Sequence, residues 1–311
     1  MTVCWVVGSG GLLGSALVRA VRARAAPVYV PDQRFEWLDG ARLRKQLASA
    51  LSLFAVQAKA AGGWELHWAA GIGAMGSSAD VLAHETDAWR YLLNLIEANA
   101  DLGSMPGRIS LASSAGAIYG GLQVDIIDEA SSEAPTTPYA DAKLEQERLL
   151  RDFLASGFPA VALTARISTL YGPGQANGKR LGLISHMARS IIRNRPIQIF
   201  VPFDTVRDYI TADDAAAVMV AALRSRAVTG GVMRIVASER PTSIAEIVAT
   251  FRRVARRPPL IATSASRLSA LYLRRVQYRS TWLLERPLPH TALPIGVAQV
   301  LAAERLAFAR G

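Results

Sequence analysis

An apolar strand, a glycine-rich turn and a helix open the chain and restrict its fold more than any other stretch. Residues 2–7 form an apolar, β-branched run, and an amphipathic stretch to about residue 24 follows the turn. Such a run is typical of a parallel strand buried on both faces. Gly8 permits a tight turn, Gly11 lets backbone amides approach a pyrophosphate at the helix N-terminus, and Gly14 allows close helix–strand packing. This predicts a dinucleotide-binding turn formed by Gly8, Gly10, Gly11, Leu12 and Gly14.

The second predicted strand ends at an acidic residue. Residues 28–31 precede Asp32, which lies eighteen residues after Gly14. A carboxylate at this strand tip can accept hydrogen bonds from the adenosine ribose hydroxyls and repels a 2′-phosphate, so NAD is favoured over NADP. Arg34 could instead hold that phosphate, which leaves NADP as the alternative. Asp39 could reach the adenine or cap the next helix.

The central part of the predicted sheet runs into small residues. We expect a short third strand at 35–37, and then a central strand at 64–68 that continues into Ala69 and Ala70. Small side chains there let a cofactor lie against the backbone. His67 is interpreted as a strand residue because no nucleophile or metal-like cluster accompanies it, and no metal site is predicted.

Strands and helices continue to alternate as far as residue 166. A helix is predicted at 80–100 and a strand at 108–112, which ends at Ser113 and Ser114. This alternation predicts an α/β fold with a doubly wound parallel sheet, the Rossmann arrangement, whose ligands gather at the carboxyl ends of the strands. The glycine turn and the serine pair are therefore expected at one edge.

A tyrosine and a lysine lie one helical turn apart further along the chain. Pro138 suits the first turn of a helix, and the following residues are good helix formers, so Tyr139 and Lys143 should share one face. A nearby ammonium favours the phenolate, which lets a tyrosine act as a base closer to neutral pH. By itself the pair could equally belong to a solvated helix face.

Composition limits the class of protein. The 311 residues are 51% hydrophobic, enough for a large core. No stretch approaches the roughly 18 consecutive apolar residues of a membrane helix, and a single cysteine, Cys4, favours a reducing cytoplasm. The net charge of +10 could indicate a polyanionic partner, but the arginines are scattered and aromatic residues make up only 7%, so nucleic-acid binding is not expected.

Together these motifs resemble the extended short-chain dehydrogenase/reductases, and specifically the NAD-dependent epimerase/dehydratase family that acts on nucleotide sugars. The resemblance covers residues 2–238 and includes the stretches 165–175 and 203–210. It implies a dinucleotide-binding domain at 1–175, with contributions from about 197–238. A smaller substrate-binding cap at 176–196 and 239–311 is also implied, as is a homodimer through helices 80–100 and 138–156.

The resemblance also implies roles for individual residues. Tyr139 would take the proton from a sugar hydroxyl, Lys143 would bind the nicotinamide ribose and favour the phenolate, and Ser114 would hydrogen-bond the reacting oxygen. In many relatives the catalytic serine or threonine lies four residues before the tyrosine of a Tyr-Gly pair, where this chain has Ala115. Ser114 is therefore the first choice and Ser113 the second.

The residues after Ser114 narrow the reaction. Family dehydratases and decarboxylases carry an acid there, whereas this chain has alanines and a glycine at 115–117. Epimerisation requires no such acid. Arg207 matches a family arginine that contacts phosphate, Arg279 could be its partner, and Arg180 could cover the substrate, since guanidinium groups bind diphosphates bidentately. Arg207 could also form a salt bridge with Asp208 or Asp213.

The predicted function is an NAD-dependent epimerase of a nucleoside-diphosphate sugar, at C4 of a UDP- or dTDP-hexose. One alternative is a reductase of a nucleotide-linked ketosugar that uses the same tyrosine and lysine. The other is a cofactor-binding module without turnover, for which the shifted serine is the support.

Overall fold

The structure is a computed structural model that describes residues 2–71, 73–174, 182–263 and 275–310. Its strands are β1 (Val3–Val7), β2 (Val28–Tyr29), β3 (Trp64–Trp68), β4 (Gly107–Ser114), β5 (Ala160–Ile167), β6 (Thr169–Tyr171), β7 (Ile197–Ile199), β8 (Val206–Thr211), β9 (Gly231–Val236), β10 (Pro241–Ser243) and β11 (Ile261–Thr263). Its helices are α1 (Leu12–Arg22), α2 (Gly40–Ala61), α3 (Ala79–Glu97), α4 (Ala100–Gly103), α5 (Ala115–Ile118), α6 (Pro138–Ala155), α7 (Leu183–Ile192), α8 (Ala212–Leu223), α9 (Ile244–Ala255) and α10 (Leu293–Ala309).

A six-stranded parallel sheet forms the centre of the molecule, in the order β2-β1-β3-β4-β5-β9. Helices cover both faces, and β1 shows why its sequence is apolar throughout. Trp5 packs towards α2, α3 and α6, whereas Val6 points to the other face, where α1 and α8 pack. Successive side chains of a strand point to opposite faces, so a strand covered on both sides has no polar face. The predicted doubly wound α/β fold is confirmed.

A third hydrophobic cluster lies outside the large sheet. It joins α7, α9 and α10 with β7 and the aromatic rings of Tyr171 and Tyr209. Two small sheets accompany it, one in the order β10-β8-β6 and one that pairs β11 with β7. The assignment of 176–196 and 239–311 to a separate cap stays a prediction.

The segment before α2 differs from the predicted third strand. Residues 35–37 form no strand, because Gln46 of α2 accepts a hydrogen bond from Glu36 N at 2.8 Å and donates one to Arg34 O at 3.0 Å. These two bonds to a side chain occupy backbone groups that would otherwise pair with a neighbouring strand. Asp39 accepts a hydrogen bond from Arg42 N at 3.0 Å and caps α2, the second of its two predicted roles.

Polar side chains connect three central strands with the end of α8. His67 contacts Ser110 Oγ at 2.6 Å and Glu65 Oε1 at 2.7 Å, and Arg224 donates to Glu65 Oε2 at 2.8 Å. Burial raises the pKa of Glu65, but His67 and Arg224 outweigh it and lower the pKa to about 2. Burial and the nearby Glu65 raise the pKa of Cys4 to about 12. His67 is thus a buried strand residue, as predicted.

No helix in the described part of the chain is both long and apolar enough to cross a membrane. Among the same residues, no group of three or more His, Cys, Asp or Glu side chains is arranged to hold a metal ion.

Candidate active site

The glycine turn after β1 can be formed only by residues without side chains at two of its positions. Gly8 has a φ of +90°, and a Cβ atom added to it would lie 2.6 Å from Ala70 N. A Cβ atom on Gly14 would lie 2.1 Å from Gly8 O. Both distances are shorter than any ordinary contact between such atoms. The turn is therefore pressed against the segment after β3, and the first turn of α1 against Gly8.

The N-terminus of α1 suits an anionic group. Gly11 is the N-cap of α1 and provides no side-chain hydrogen bond to the first helical amides. Those amides are left without a helical acceptor, and the helix dipole adds positive potential at the same place. Gly10 is exposed, and a Cβ atom on it would meet nothing within 4 Å. The predicted pyrophosphate cradle thus fits this chain, with Ala69 held beside it through the bond from its N to Val7 O at 2.9 Å.

Asp32, the predicted partner of the adenosine ribose, lies at the carboxyl edge of the sheet. It follows β2 and is exposed. The pKa of Tyr29 is raised by burial and by the negative charge of Asp32, which shows that the carboxylate lies near the carboxyl end of β2. Arg34 is also exposed. An acid and an arginine are therefore both present just after β2, where the adenosine ribose is predicted to bind.

Tyr139 and Lys143 lie in the first two turns of α6. Thr137 caps the helix by accepting a hydrogen bond from Ala140 N at 3.2 Å, and Pro138 occupies the first turn, as predicted. Tyr139 is half-buried, and Lys143 Nζ lies 5.6 Å from the centre of its ring. The phenol and the ammonium therefore share one side of the helix.

Lys143 has a buried ionic partner that the sequence motifs did not indicate. Its Nζ donates to Glu85 Oε1 at 2.9 Å and to Gln146 Oε1 at 3.0 Å. Lys143 is 6% exposed and Glu85 7%. Burial lowers the pKa of Lys143, but the Glu85 carboxylate outweighs it, so the net shift is upward. Burial raises the pKa of Glu85, but Lys143 outweighs it and the net shift is downward. Both groups are charged at neutral pH.

Glu85 also holds the segment that follows β3. Gly73 N donates to Glu85 Oε2 at 3.1 Å. A Cβ atom on Gly73 would lie 3.6 Å from Tyr139 Cδ2, and one on Gly71 would lie 2.7 Å from Glu85 Oε1. The glutamate therefore joins α3, the loop after β3 and the Tyr139 end of α6. A sequence signal existed, since Glu85 lies among Leu82 and Trp89 on the buried side of α3.

The two serines that close β4 have different surroundings. Ser113 is buried, and its Oγ donates to Glu147 Oε1 at 2.6 Å. Glu147 also accepts from Arg166 Nε at 3.0 Å, and Arg166 Nη1 donates to Tyr119 Oη at 2.8 Å. Ser114 is half-buried at the start of α5 and forms no side-chain cap bond. Of the two serines, Ser114 is the last residue of β4.

The family model of the NAD-dependent epimerase/dehydratase family matches residues 4–235 of the 311-residue chain. The chain belongs to this family. The predicted family is therefore confirmed. The residues on which that prediction rested, the glycine turn, the β4 serines and the Tyr139–Lys143 pair, lie at the carboxyl edge of the parallel sheet.

Two curated relatives match only in part. The dTDP-L-rhamnose 4-epimerase of Burkholderia thailandensis is 33% identical over 91 residues, which are 29% of this chain and 24% of that protein. The dTDP-4-dehydro-6-deoxyglucose reductase of Escherichia coli is 31% identical over 107 residues, which are 34% of this chain and 33% of that protein. The match thus spans about a quarter to a third of the length of these relatives, and it includes an epimerase as well as a reductase.

A solved structure matches over the whole length. The UDP-glucose-4-epimerase of Stenotrophomonas maltophila, with bound NAD and formylated UDP-arabinopyranose, has a TM-score of 0.78 and 18% identity, with 100% of both chains covered. At this identity the likeness shows the shared fold.

Of the three arginines predicted to contact the substrate, Arg207 lies in β8 and Arg279 in the segment that runs past its start. Arg180 lies outside the described residues. Arg207 is half-buried in β8, and its Nη1 donates to Val206 O at 2.8 Å. Arg279 is exposed, and its backbone N donates to Ile127 O at 3.0 Å. Residues 275–279 run past the start of β8, since Arg275 bridges to Val206. Sequence reasoning did not single out Arg275, which pairs with Val206, the residue before Arg207.

The two acids near Arg207 have other partners. Asp208 accepts hydrogen bonds from Ser168 Oγ at 2.6 Å and Ser238 Oγ at 2.9 Å, and Asp213 forms an ion pair with Arg19 at 2.6 Å. Burial raises the pKa of Tyr209 to about 12, and the charge of Arg207 opposes that shift. Arg207 therefore lies near Tyr209, on the same side of β8.

Proposed function

We propose that the protein is an NAD-dependent nucleotide-sugar epimerase that inverts C4 of a UDP- or dTDP-hexose. The observation that carries the proposal is the combination of Tyr139 with a buried, charged Lys143 at the sheet edge that also holds the glycine turn. No acid follows Ser114, because Ala115 and Ala117 are buried alanines and Gly116 is open. This supports epimerisation over dehydration or decarboxylation.

The cofactor proposal rests on Gly8, Gly11 and Asp32. The turn offers backbone amides to a pyrophosphate, and Asp32 offers a carboxylate to the adenosine ribose. The solved structure of the epimerase named above contains NAD. NAD, when bound, would accept a hydride from the sugar carbon and return it.

The chain's own residues would move the proton and orient the sugar. Tyr139 Oη takes the proton of the sugar hydroxyl and gives it back after the ketosugar has turned in the pocket. Ser114 Oγ donates a hydrogen bond to the reacting oxygen. The Lys143 ammonium holds a positive charge beside the phenol throughout, because Glu85 keeps the lysine protonated in its buried position.

The substrate side belongs to the same proposal. Arg207 and Arg279 would bind the diphosphate, with Arg180 over it and Ser113 as a second choice for the reacting oxygen. A homodimer through α3 and α6 and a cytoplasmic location stay predictions.

Proton NMR of the anomeric protons tests the function directly. Purified protein is incubated with a panel of UDP- and dTDP-hexoses, with no cofactor added. We expect conversion to the C4 epimer, which would also show that the protein retains NAD. In the Tyr139→Phe variant turnover should disappear while NAD binding is kept, and full activity of that variant would remove Tyr139 from the mechanism.

A ketosugar reductase is the second candidate, and the partial match to the Escherichia coli reductase favours it. Its test is oxidation of added NADH or NADPH in the presence of a dTDP-4-ketosugar, followed by absorbance. Steady consumption of reduced cofactor without epimerisation of hexoses would replace the epimerase proposal. Cofactor binding with neither reaction would favour the module without turnover.

A further inference from the structure

The C-terminal ends of α7, α9 and α10 lie together at one end of the third hydrophobic cluster. Arg189 of α7 forms two bonds of 3.0 Å with the carboxylate of Glu304 in α10. One turn further along both helices, the Arg193 guanidinium lies 6.0 Å from the centre of the Phe308 ring. The two helices are therefore parallel. Arg257, just beyond α9, donates to a carbonyl in the last turn of α7.

These ends form a strongly cationic surface, which we call the arginine face and define as residues 189–199, 248–263 and 300–310. The three segments, all within the described chain, contain nine arginines and one acid, Glu304, whose carboxylate is bonded to Arg189. Eight of the arginines are exposed. Helix C-termini attract cations, but three helix dipoles carry only about half a negative charge each. Compensation of the dipoles therefore explains only a small part of this charge.

Large apolar side chains are exposed within the same three segments. Leu306 is 61% exposed, Phe308 55% and Leu260 49%. Arg305 and Arg310 flank the first two of these along α10. A bilayer surface uses both kinds of side chain, because lipid phosphates attract arginines and the acyl boundary accepts apolar groups.

We propose that the arginine face binds peripherally to a membrane surface rich in anionic phospholipids. The binding needs no membrane-spanning helix. The face also contains none of the candidate site residues, and the first turn of α10 packs through Gly296 against Tyr171 at the end of β6. Phe308 lies twelve residues later, about 18 Å along the helix axis. Changes at the arginine face should therefore leave catalysis intact.

Co-sedimentation with vesicles tests the proposal on the full chain. In about 0.1 M NaCl, where the Debye length is about 10 Å, we expect binding to phosphatidylcholine vesicles that contain phosphatidylglycerol and none to pure phosphatidylcholine. About 1 M NaCl should release the protein, since the Debye length falls to about 3 Å. Each arginine near an anionic surface strengthens binding about fivefold.

Two matched charge variants identify the face. The test variant is Arg252→Gln/Arg253→Gln/Arg305→Gln/Arg310→Gln, and the control is Arg22→Gln/Arg24→Gln/Lys45→Gln/Arg226→Gln. Both remove four exposed cations. The test variant should bind anionic vesicles about a hundredfold more weakly or worse, and the control less than tenfold. Thermal unfolding of both variants should show that each remains folded.

An apolar variant separates lipid from other polyanions. Leu306→Ser/Phe308→Ser should weaken vesicle binding at least about tenfold without changing its salt dependence. The proposal would be overturned if the two charge variants lost vesicle binding equally or if the serine variant lost none. It would also be overturned if the wild type did not bind anionic vesicles. Equally tight binding of a poly(dT) oligonucleotide would identify a general polyanion face and overturn it too, as would self-association abolished by the serine variant.

Discussion

Replacement of Glu85 by glutamine should show how much the buried pair with Lys143 contributes to the free energy of unfolding. Glutamine has the shape of glutamate but no charge, and its single acceptor oxygen can keep the bond from Gly73 N or the bond from Lys143 Nζ, not both. Removal of one partner from a buried ion pair costs about 3–5 kcal/mol, because the other charge remains buried. Gln146 Oε1 stays 3.0 Å from Lys143 Nζ. We therefore expect a loss of about 3 kcal/mol in the free energy of unfolding, the lower end of that range.

The assay is denaturant unfolding at pH 7, supported by thermal unfolding. For a chain of 311 residues, about 3 kcal/mol corresponds to a fall of about 4–5 °C in Tm. Glu145→Gln is the matched control, because Glu145 lies at the surface of α6 and pairs with Arg148 of that helix and with Arg90 of α3. Surface pairs are worth at most about 1 kcal/mol.

The pH dependence of this difference follows from the pKa shifts. The pKa of Glu85 in the folded protein lies below 4.5, so its contribution is present above about pH 4.5 and is lost as the pH falls through the folded value. The pKa of Lys143 lies above 10.5, so its contribution persists up to that pH. In the variant the Glu85 charge that raises the pKa of Lys143 is gone, so that pKa is lower than in the wild type. The fall of kcat at alkaline pH should therefore begin at a lower pH in the variant than in the wild type.

A double variant decides whether this reasoning holds. Glu85→Gln/Lys143→Met removes both charges, and it should be more stable than Glu85→Gln alone, because no unpaired charge stays buried. If Glu85→Gln costs less than about 1 kcal/mol, or if the double variant is no more stable than the single one, the pair does not stabilise the fold as argued.

Three further changes test the site. Gly8→Ala should lower stability by about 2 kcal/mol or more and abolish NAD binding, because the φ of Gly8 is +90° and a Cβ atom there would lie 2.6 Å from a backbone nitrogen. Gly10→Ala is the control, since Gly10 has open space around it, and it should unfold like the wild type. Asp32→Ala should weaken NAD binding about tenfold or more by calorimetry and leave NADP binding unchanged or tighter. Ser114→Ala should lower kcat about a hundredfold, whereas Ser113→Ala should chiefly lower stability by about 1 kcal/mol.

The fold and the cofactor turn could be predicted because their signals are local. The requirement for glycine at positions 8 and 14 arises within one strand–turn–helix unit, and Pro138 marks the start of α6 within a few residues of Tyr139. The segment 35–37 was predicted wrongly as a strand, since its apolar residues gave no sign that Gln46 would bond to its backbone.

The partner of Lys143 depends on packing between distant segments. Glu85 lies 58 residues before the lysine on another helix, and only its position on the apolar side of α3 hinted at burial. The alternation of side chains along β4 predicts that Ser113 and Ser114 point to opposite faces of the sheet. It does not predict that Glu147 of α6 packs on the Ser113 face and bonds that serine.

The single cysteine has a practical consequence. Cys4 is fully buried, and its pKa is raised to about 12, so at neutral pH it is a protonated thiol out of reach of reagents that attack thiolates. A cysteine introduced at Leu306 would therefore be the one that maleimide dyes label. Its fluorescence could report contact with vesicles directly, with no need to remove the native cysteine from the core first.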